Sequence, residues 1–215
     1  MVEAVFFDLD GTLADTAPDL GHALNLLREQ RGLTALEQEI IRPYVSHGAR
    51  GLLEIGLGLM PDNPDFGAAR LEFLVFYERY LCHHTRLFPG IAELLDGLES
   101  RNIAWGVVTN KPARYTDPLL DKLGLTHRAA CIVSGDTCAN AKPHPEPLLY
   151  AARQAGKEPA KCLYIGDAER DIEAARAADM PVLVALYGYL SETDRPHEWR
   201  ADGAIDSPFD IFNYL

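Results

Sequence analysis

Two acids set one residue apart, Asp8 and Asp10, close the apolar run Val5-Phe6-Phe7, and Gly11 and Thr12 follow at once. On an extended backbone such a pair of carboxylates points the same way. The two charges repel unless a cation joins them or one takes up a proton. That makes them candidates for acid–base work, for attack on an electrophile, or for holding a metal. Read alone, Asp-Gly is a common turn pair on a solvated surface. Here the acids end the one sharply apolar start in the chain, so a site is the better reading. A strand that is apolar without alternation is a buried parallel strand. Open parallel sheets hold their ligands just outside the carboxyl ends of their strands.

Three further polar groups fall at the ends of apolar runs or just beyond them. Val107-Val108 leads into Thr109-Asn110, a third run is followed by Ala141-Lys142-Pro143, and Ile165-Gly166 leads into Asp167, with Asp171 one helical turn on. Singly, Thr109 reads as a helix cap, Lys142 as surface and Gly-Asp as a turn. Parallel strands share one carboxyl edge, so Asp8, Asp10, Thr109, Lys142 and Asp167 can converge there.

The elements that position them follow from periodicity. Asp15-Thr16 with Pro18 starts a helix, whose face is Leu20, Leu24 and Leu27. Thr34 and Glu37 have capping-box spacing ahead of Ile40 and Ile41, with the helix ending near Pro43. Ser46-His47-Gly48-Ala49-Arg50-Gly51 is a glycine-bounded loop or helix start, and Leu52, Leu53 and Leu57 continue helically to Pro61. Asp65 opens a fourth helix with Phe66, Phe73, Leu74, Tyr77 and Leu81 inward. Four helices with no strand between them predict a helical insert over 16–84, leaving 1–15 and 85–215 as the core. From Pro89-Gly90 onward helix and strand alternate: helices over 90–101, 112–123, 146–155 and 169–178, and strands over 104–109, 130–134, 162–165 and 182–186. Ala204-Ile205 makes a last short strand, and Ser207-Pro208 caps a final helix. That alternation predicts an α/β fold, a Rossmann-like doubly wound parallel sheet with helices on both faces.

Composition narrows the function classes. At 215 residues the chain can bury an ample core. A net charge of −12 and a pI near 4.9 argue against a broad nucleic-acid or anionic-membrane surface. An anionic substrate then needs a local positive site. No apolar run approaches the roughly 20 residues of a membrane helix. The opening residues lack a basic segment and enter the core strand directly, so no signal peptide is expected. Cys82, Cys131, Cys138 and Cys162 form no C-x-x-C pair, and a reduced, cytoplasmic protein is the expectation.

Taken in order, Asp8-Leu9-Asp10-Gly11-Thr12, the strand-end Thr109, Lys142 before Pro143 and Gly166-Asp167-x-x-x-Asp171 resemble the four motifs of the haloacid dehalogenase superfamily of phosphatases. The resemblance covers the whole chain, and the helical insert looks like a C1-type cap. It implies that Asp8 is the nucleophile, forming an aspartyl-phosphate. Asp10 would protonate the leaving alkoxide and then activate water. Thr109, Lys142 and the backbone amides around Gly11 and Thr12 would stabilise the phosphoryl oxygens. Mg²⁺ is the implied cofactor, held by Asp8, the Asp10 carbonyl and Asp167, with Asp171 in support.

Within that superfamily Asp10 disfavours a dehalogenase. The absence of any lysine before Lys111 disfavours a phosphonatase, which needs a cap lysine. A phosphomutase shares every core motif and stays open. Trp105-Gly106-Val107-Val108-Thr109-Asn110-Lys111-Pro112, Lys142-Pro143-His144-Pro145-Glu146-Pro147 and Tyr187-Gly188-Tyr189 resemble the phosphoglycolate phosphatase group, and in it the N-acetylmuramic acid 6-phosphate phosphatase branch of cell-wall recycling. Both substrates are small carboxylate-bearing phosphomonoesters. Specificity is expected from the cap loop, with His47, Gly48 and Arg50 as candidates, Arg50 pairing with a substrate carboxylate or simply lying on a helix surface. Asn110 and Lys111 are candidate substrate contacts. The expected partner is thus a small phosphorylated metabolite, with no nucleic acid and no membrane. Oligomeric state is not legible.

Overall fold

The computed structural model describes residues 1–215, and the chain divides by its internal contacts into two compact units, Met1–Ala14 with Leu87–Leu215, and Asp15–Arg86. It opens with β1 (Ala4–Phe7) and the two-residue β2 (Ala14–Asp15). Four helices follow: α1 (Ala17–Gln30), α2 (Gln38–Ile41), α3 (Gly48–Leu57) and α4 (Phe66–Arg79). The chain returns through β3 (Arg86–Leu87) and then alternates: α5 (Ile91–Ser100), β4 (Ala104–Val108), α6 (Ala113–Lys122), β5 (Cys131–Val133), α7 (Glu146–Gln154), β6 (Cys162–Gly166), α8 (Glu169–Ala177), β7 (Val182–Ala185) and β8 (Gly203–Ile205).

The first unit is built on a six-stranded sheet in the order β5-β4-β1-β6-β7-β8, parallel throughout. Strand β1 lies at its centre, fully buried, with Phe7 opposite Val107 on β4 and Ile165 on β6. The winding runs from β1 out to β5, then jumps back to β6 and runs the other way. The reversal between β1 and β6 is the crevice where such sheets bind ligands. Apolar residues continuous along a strand are what two covered faces demand. On one face Phe6, Val108, Tyr164 and Val184 join Leu148 and Ala151 of α7 and Ile172 and Ala175 of α8 in a single buried cluster. Helix α5 buries Ile91, Leu94, Leu95 and Leu98 and packs on β4. This is the doubly wound α/β sheet that the strand–helix alternation predicts.

Apart from its end residues Asp15 and Arg86, which belong to β2 and β3, the second unit has no strands. Leu20, Leu24 and Leu27 of α1 are buried, and α3 approaches so closely that a Cβ on Gly56 would come within 2.4 Å of Leu24 Cδ1. Asp19, on the first turn of α1, is fully buried and accepts from the His84 and Thr85 amides at 2.8 and 2.9 Å and from the Thr85 hydroxyl at 2.6 Å.

One local expectation fails. Thr34 caps nothing: Glu37 stands at the N-cap of α2 without a side-chain bond, and the Thr34 carbonyl accepts from Arg28 Nε instead. Asn25 takes the Leu36 amide and carbonyl, so tertiary bonds hold the segment where a capping box was expected. The α-helix does end at Ile41, near Pro43 as expected, but the chain continues as a tighter turn. A 3₁₀ helix, Arg42–His47, carries the proline near its start, where its missing N–H leaves no bond unmade. The closing helix, Pro208–Tyr214, is also 3₁₀. Its Ser207 cap forms as read, with Asp210 Oδ2 accepting from the Ser207 amide and Ser207 Oγ from Phe209 N–H. No helix is long and apolar enough to cross a membrane.

Candidate active site

Three strands of the sheet, β1, β4 and β6, each deliver a polar group at its carboxyl edge. Strand β1 delivers Asp8, whose amide is held by the Ile165 carbonyl at 2.9 Å. Oδ1 of Asp8 accepts from the next residue's amide, Leu9 N–H, at 2.8 Å and stands 3.0 Å from Lys142 Nζ. Strand β4 delivers Thr109, anchored through its amide to Val133 O at 2.9 Å. Strand β6 delivers Asp167, buried, whose Oδ2 accepts from Tyr189 N–H at 2.9 Å and whose Oδ1 faces the Thr12 hydroxyl at 3.4 Å. Gly11 makes this approach feasible. Its φ of +86° suits glycine, and a Cβ there would lie 2.1 Å from Asp167 Oδ2.

Lys142 is the hub. Its ammonium, fully buried, meets the Val108 carbonyl at 2.9 Å, Tyr164 Oη at 2.7 Å and Asp171 Oδ1 at 2.7 Å besides Asp8. Asp171 in turn uses Oδ2 to accept from Ala168 N–H at 3.1 Å, closing the first turn of α8. Asp8, Asp167 and Asp171 each present a carboxylate oxygen within 4.8 Å of the others. Arg170 brings a second cation, Nη2 lying 3.9 Å from Asp8 Oδ2.

The electrostatics follow from burial and neighbours. Burial pushes the Asp171 carboxyl up, Lys142 pulls it back and Asp8 raises it again. Burial, then the charges of Asp171 and Asp8, lift the Tyr164 phenol well above its usual value, so it stays a neutral donor. Burial would depress the Arg170 guanidinium, but Asp171, Asp8 and Asp167 outweigh it and raise its pKa.

The residues after β4 take unexpected partners. Asn110 Nδ2 donates to the Lys142 carbonyl at 2.8 Å while its Oδ1 accepts from the Lys142 amide at 2.9 Å. Lys111 Nζ lies 2.8 Å from Asp10 Oδ1. Their side chains therefore meet protein groups, one clamping the Lys142 loop and the other pairing with the second acid of the opening motif. His47, Gly48 and Arg50 belong to the helical unit, exposed at the junction of the 3₁₀ helix and α3.

Sequence reasoning missed Tyr164 and left Arg170 without a role. Tyr164 sits inside an apolar strand and reads as core, which it also is. The available signal was chemical: a buried phenol needs a partner for its hydroxyl, and a cluster of acids began three residues downstream.

Comparison with known proteins agrees with this geometry. The sequence profile of haloacid dehalogenase-like hydrolases matches residues 5–185. An N-acetylmuramic acid 6-phosphate phosphatase from Pseudomonas putida is 42% identical over 210 residues, 98% of this chain and 94% of that protein. A phosphoglycolate phosphatase from Xanthomonas campestris pv. campestris is 43% identical over 205 residues, 95% of this chain and 92% of that one. A crystal structure from Haemophilus somnus, described as a predicted phosphoglycolate phosphatase, superposes with a TM-score of 0.86 at 28% identity, covering 99% of this chain and 97% of the other. An acid-tipped central strand, a buried lysine shared by two carboxylates and a profile match spanning nearly the whole sheet lead to one conclusion: the chain belongs to the haloacid dehalogenase-like hydrolase family, among its phosphatases.

Proposed function

We propose that the chain is a Mg²⁺-dependent phosphatase that hydrolyses a small carboxylate-bearing phosphomonoester through an aspartyl-phosphate on Asp8. One observation carries the reading. Asp8 Oδ1 is taken by Leu9 N–H and Lys142, while Oδ2 faces the Arg170 guanidinium across 3.9 Å. Oδ2 is thus the oxygen that attacks phosphorus. As the new P–O bond forms, the bond to the alkoxide breaks with its electron pair on oxygen, and Asp10 supplies the proton. Asp10 then takes a proton from the water that attacks phosphorus, releasing inorganic phosphate and the Asp8 carboxylate. Lys142 and the Thr109 hydroxyl answer the charge on the phosphoryl oxygens, whereas the Gly11 and Thr12 amides, expected to help there, donate to the Ala14 and Leu9 carbonyls at 3.1 and 3.4 Å.

The donor set suits a hard divalent ion, because it is all oxygen, buried and gathered within 4.8 Å. Asp8 and Asp167 would hold Mg²⁺ with the Asp10 carbonyl, while Asp171, engaged by Lys142, Tyr164 and Ala168 N–H, would support from behind. Bound there, the ion would supply Lewis-acid charge to the phosphoryl group.

The helical unit, Asp15–Arg86, is read as the cap that selects the substrate, with His47, Gly48 and Arg50 as its contacts. The substrate class rests on relatives named for N-acetylmuramic acid 6-phosphate and for phosphoglycolate, both of which carry a carboxylate. A cytoplasmic setting is in keeping with four free cysteines.

The test is phosphate release from both compounds, side by side, with Mg²⁺ and with EDTA. Release that EDTA abolishes is expected, along with an Asp8→Asn variant that folds yet does not turn over. Isomerised sugar phosphate with little free phosphate would favour a mutase, and full activity in Asp8→Asn would overturn the mechanism.

A further inference from the structure

We propose that Lys111 is the positioning residue of the acid–base carboxylate, Asp10, and that it acts through Asp10 rather than through the substrate. The inference rests on the reading of Asp10 given above.

The ion pair is built from both sides. Lys111 is pinned along its backbone: its amide donates to Thr109 Oγ1 at 3.1 Å, and its carbonyl accepts from Gly135 N–H at 2.9 Å and from the Thr116 hydroxyl at 3.0 Å. Gly135 comes so near that a Cβ there would lie 2.2 Å from the Asn110 carbonyl oxygen. Nothing larger than glycine fits without moving the segment that carries Lys111. On the other side Asp10 bridges to Ala14, and Gly11 N–H donates to Ala14 O at 3.1 Å. Two loops fixed by backbone bonds therefore bring Nζ and Oδ1 to 2.8 Å, with the lysine side chain 8% and the aspartate 17% exposed. A pair this well buried in a prepared geometry is unlike a surface bridge, whose long side chains must be ordered for little gain.

The chemistry explains why such a device is useful. Proton transfer depends on the carboxyl group reaching the leaving oxygen in one orientation, and a misplacement of about 1 Å can lower turnover by about 100-fold. A free aspartate at a loop end samples several rotamers. An ammonium on Oδ1 restricts it to one. Thr109, Asn110 and Lys111 then perform three tasks in a row: a hydroxyl for the phosphoryl group, a clamp on the Lys142 loop, and a fixed acid.

The experiment varies the leaving group. Asp10→Asn, Lys111→Met, Lys111→Arg and the Asp10→Asn/Lys111→Met double variant are assayed on p-nitrophenyl phosphate, whose leaving group needs no proton, and on an alkyl phosphate, whose leaving group does. For Lys111→Met, kcat/KM, which reports transfer to Asp8 alone, should fall about 10–100-fold on the alkyl ester and about threefold or less on p-nitrophenyl phosphate, while kcat on both esters falls where Asp10 must activate water. Lys111→Arg should recover most of the loss. In the Asp10→Asn background, Lys111→Met should cost less than about twofold. A KM increase with kcat intact would assign Lys111 to substrate binding and overturn the proposal. An equal loss of kcat/KM on both leaving groups, or full additivity in the double variant, would make the residue merely structural and overturn it too. If Asp10→Asn alone keeps full activity on the alkyl ester, it is the reading of Asp10 as the acid that fails. Should Lys111→Met not fold, Lys111→Arg and Lys111→Gln carry the same comparison.

Discussion

The two edges of the sheet use the same residue types in opposite ways. At the amino edge Glu3, just before β1, pairs with Lys157 at 3.2 Å and Lys161 at 3.1 Å, with side chains 30–49% exposed. At the carboxyl edge, one strand length away, Lys142 pairs with Asp8 and Asp171 at 3.0 and 2.7 Å with almost no exposure. Water already solvates the first cluster, so the pairing adds little. The second was taken out of water, and its desolvation can exceed the Coulombic gain. A fold that needed only stability would have filled that space with apolar side chains. Charges kept there at a loss point to chemistry.

This contrast can be sharpened by removing its charges one at a time. Lys142→Met should be the most severe change. It leaves Asp8 and Asp171 buried with their main cation gone and should destabilise the fold by about 3–5 kcal/mol, read from the urea midpoint. Adding Asp171→Asn should recover part of that loss by removing one uncompensated charge. If Lys142→Met melts like the wild type, the buried cluster is not the strained element described here.

An intermediate effect comes from a group that the amino edge buries in neutral form. Burial, with Glu3 adding, raises the Cys162 thiol to about 11 from 9.0. The raised value belongs to the folded state. The thiol's contribution is therefore complete below pH 9 and is lost as pH climbs through 11, where the folded state must also ionise it. The Tm should fall across that window, and Cys162→Ala should flatten the slope. An unchanged slope would mean that the thiol is solvated.

The smallest effect should be Glu3→Gln. Its melting curve should lie within replicate scatter of the wild type, and 1 M salt should erase any residual difference. A clear loss of stability would break the comparison from the exposed side.

How much of this was legible depends on the physics of each residue. Strand β1 and the acids after it could be read because a strand buried on both faces has nothing polar until it ends. The same reasoning placed Thr109 and Asp167. Lys142 was found by its position relative to the strands, yet its partner Tyr164 was not, because a tyrosine satisfies the apolar pattern and hides its hydroxyl. Arg170 was given no role, because only the folded arrangement puts it beside Asp8. Asn110 and Lys111 were read as substrate contacts because strand-end polar groups usually face ligands. Their partners, the Lys142 backbone and Asp10, are 32 and 101 positions away in sequence, beyond any local pattern. Thr34 and Glu37 illustrate the converse: a spacing that is right for a cap was overruled by tertiary bonds from Arg28 and Asn25.

The buried Asp19 has a consequence for engineering. By holding the His84 and Thr85 amides from the first turn of α1, it places the exit of the helical unit beside its entrance, within that unit's own bonds. A segment that closes on itself behaves as a cassette, because a host needs only two neighbouring chain ends to accept it. Residues 15–86 are therefore a natural unit for transplantation, and chimaeras cut at 14/15 and 86/87 should exchange one module without unravelling the other.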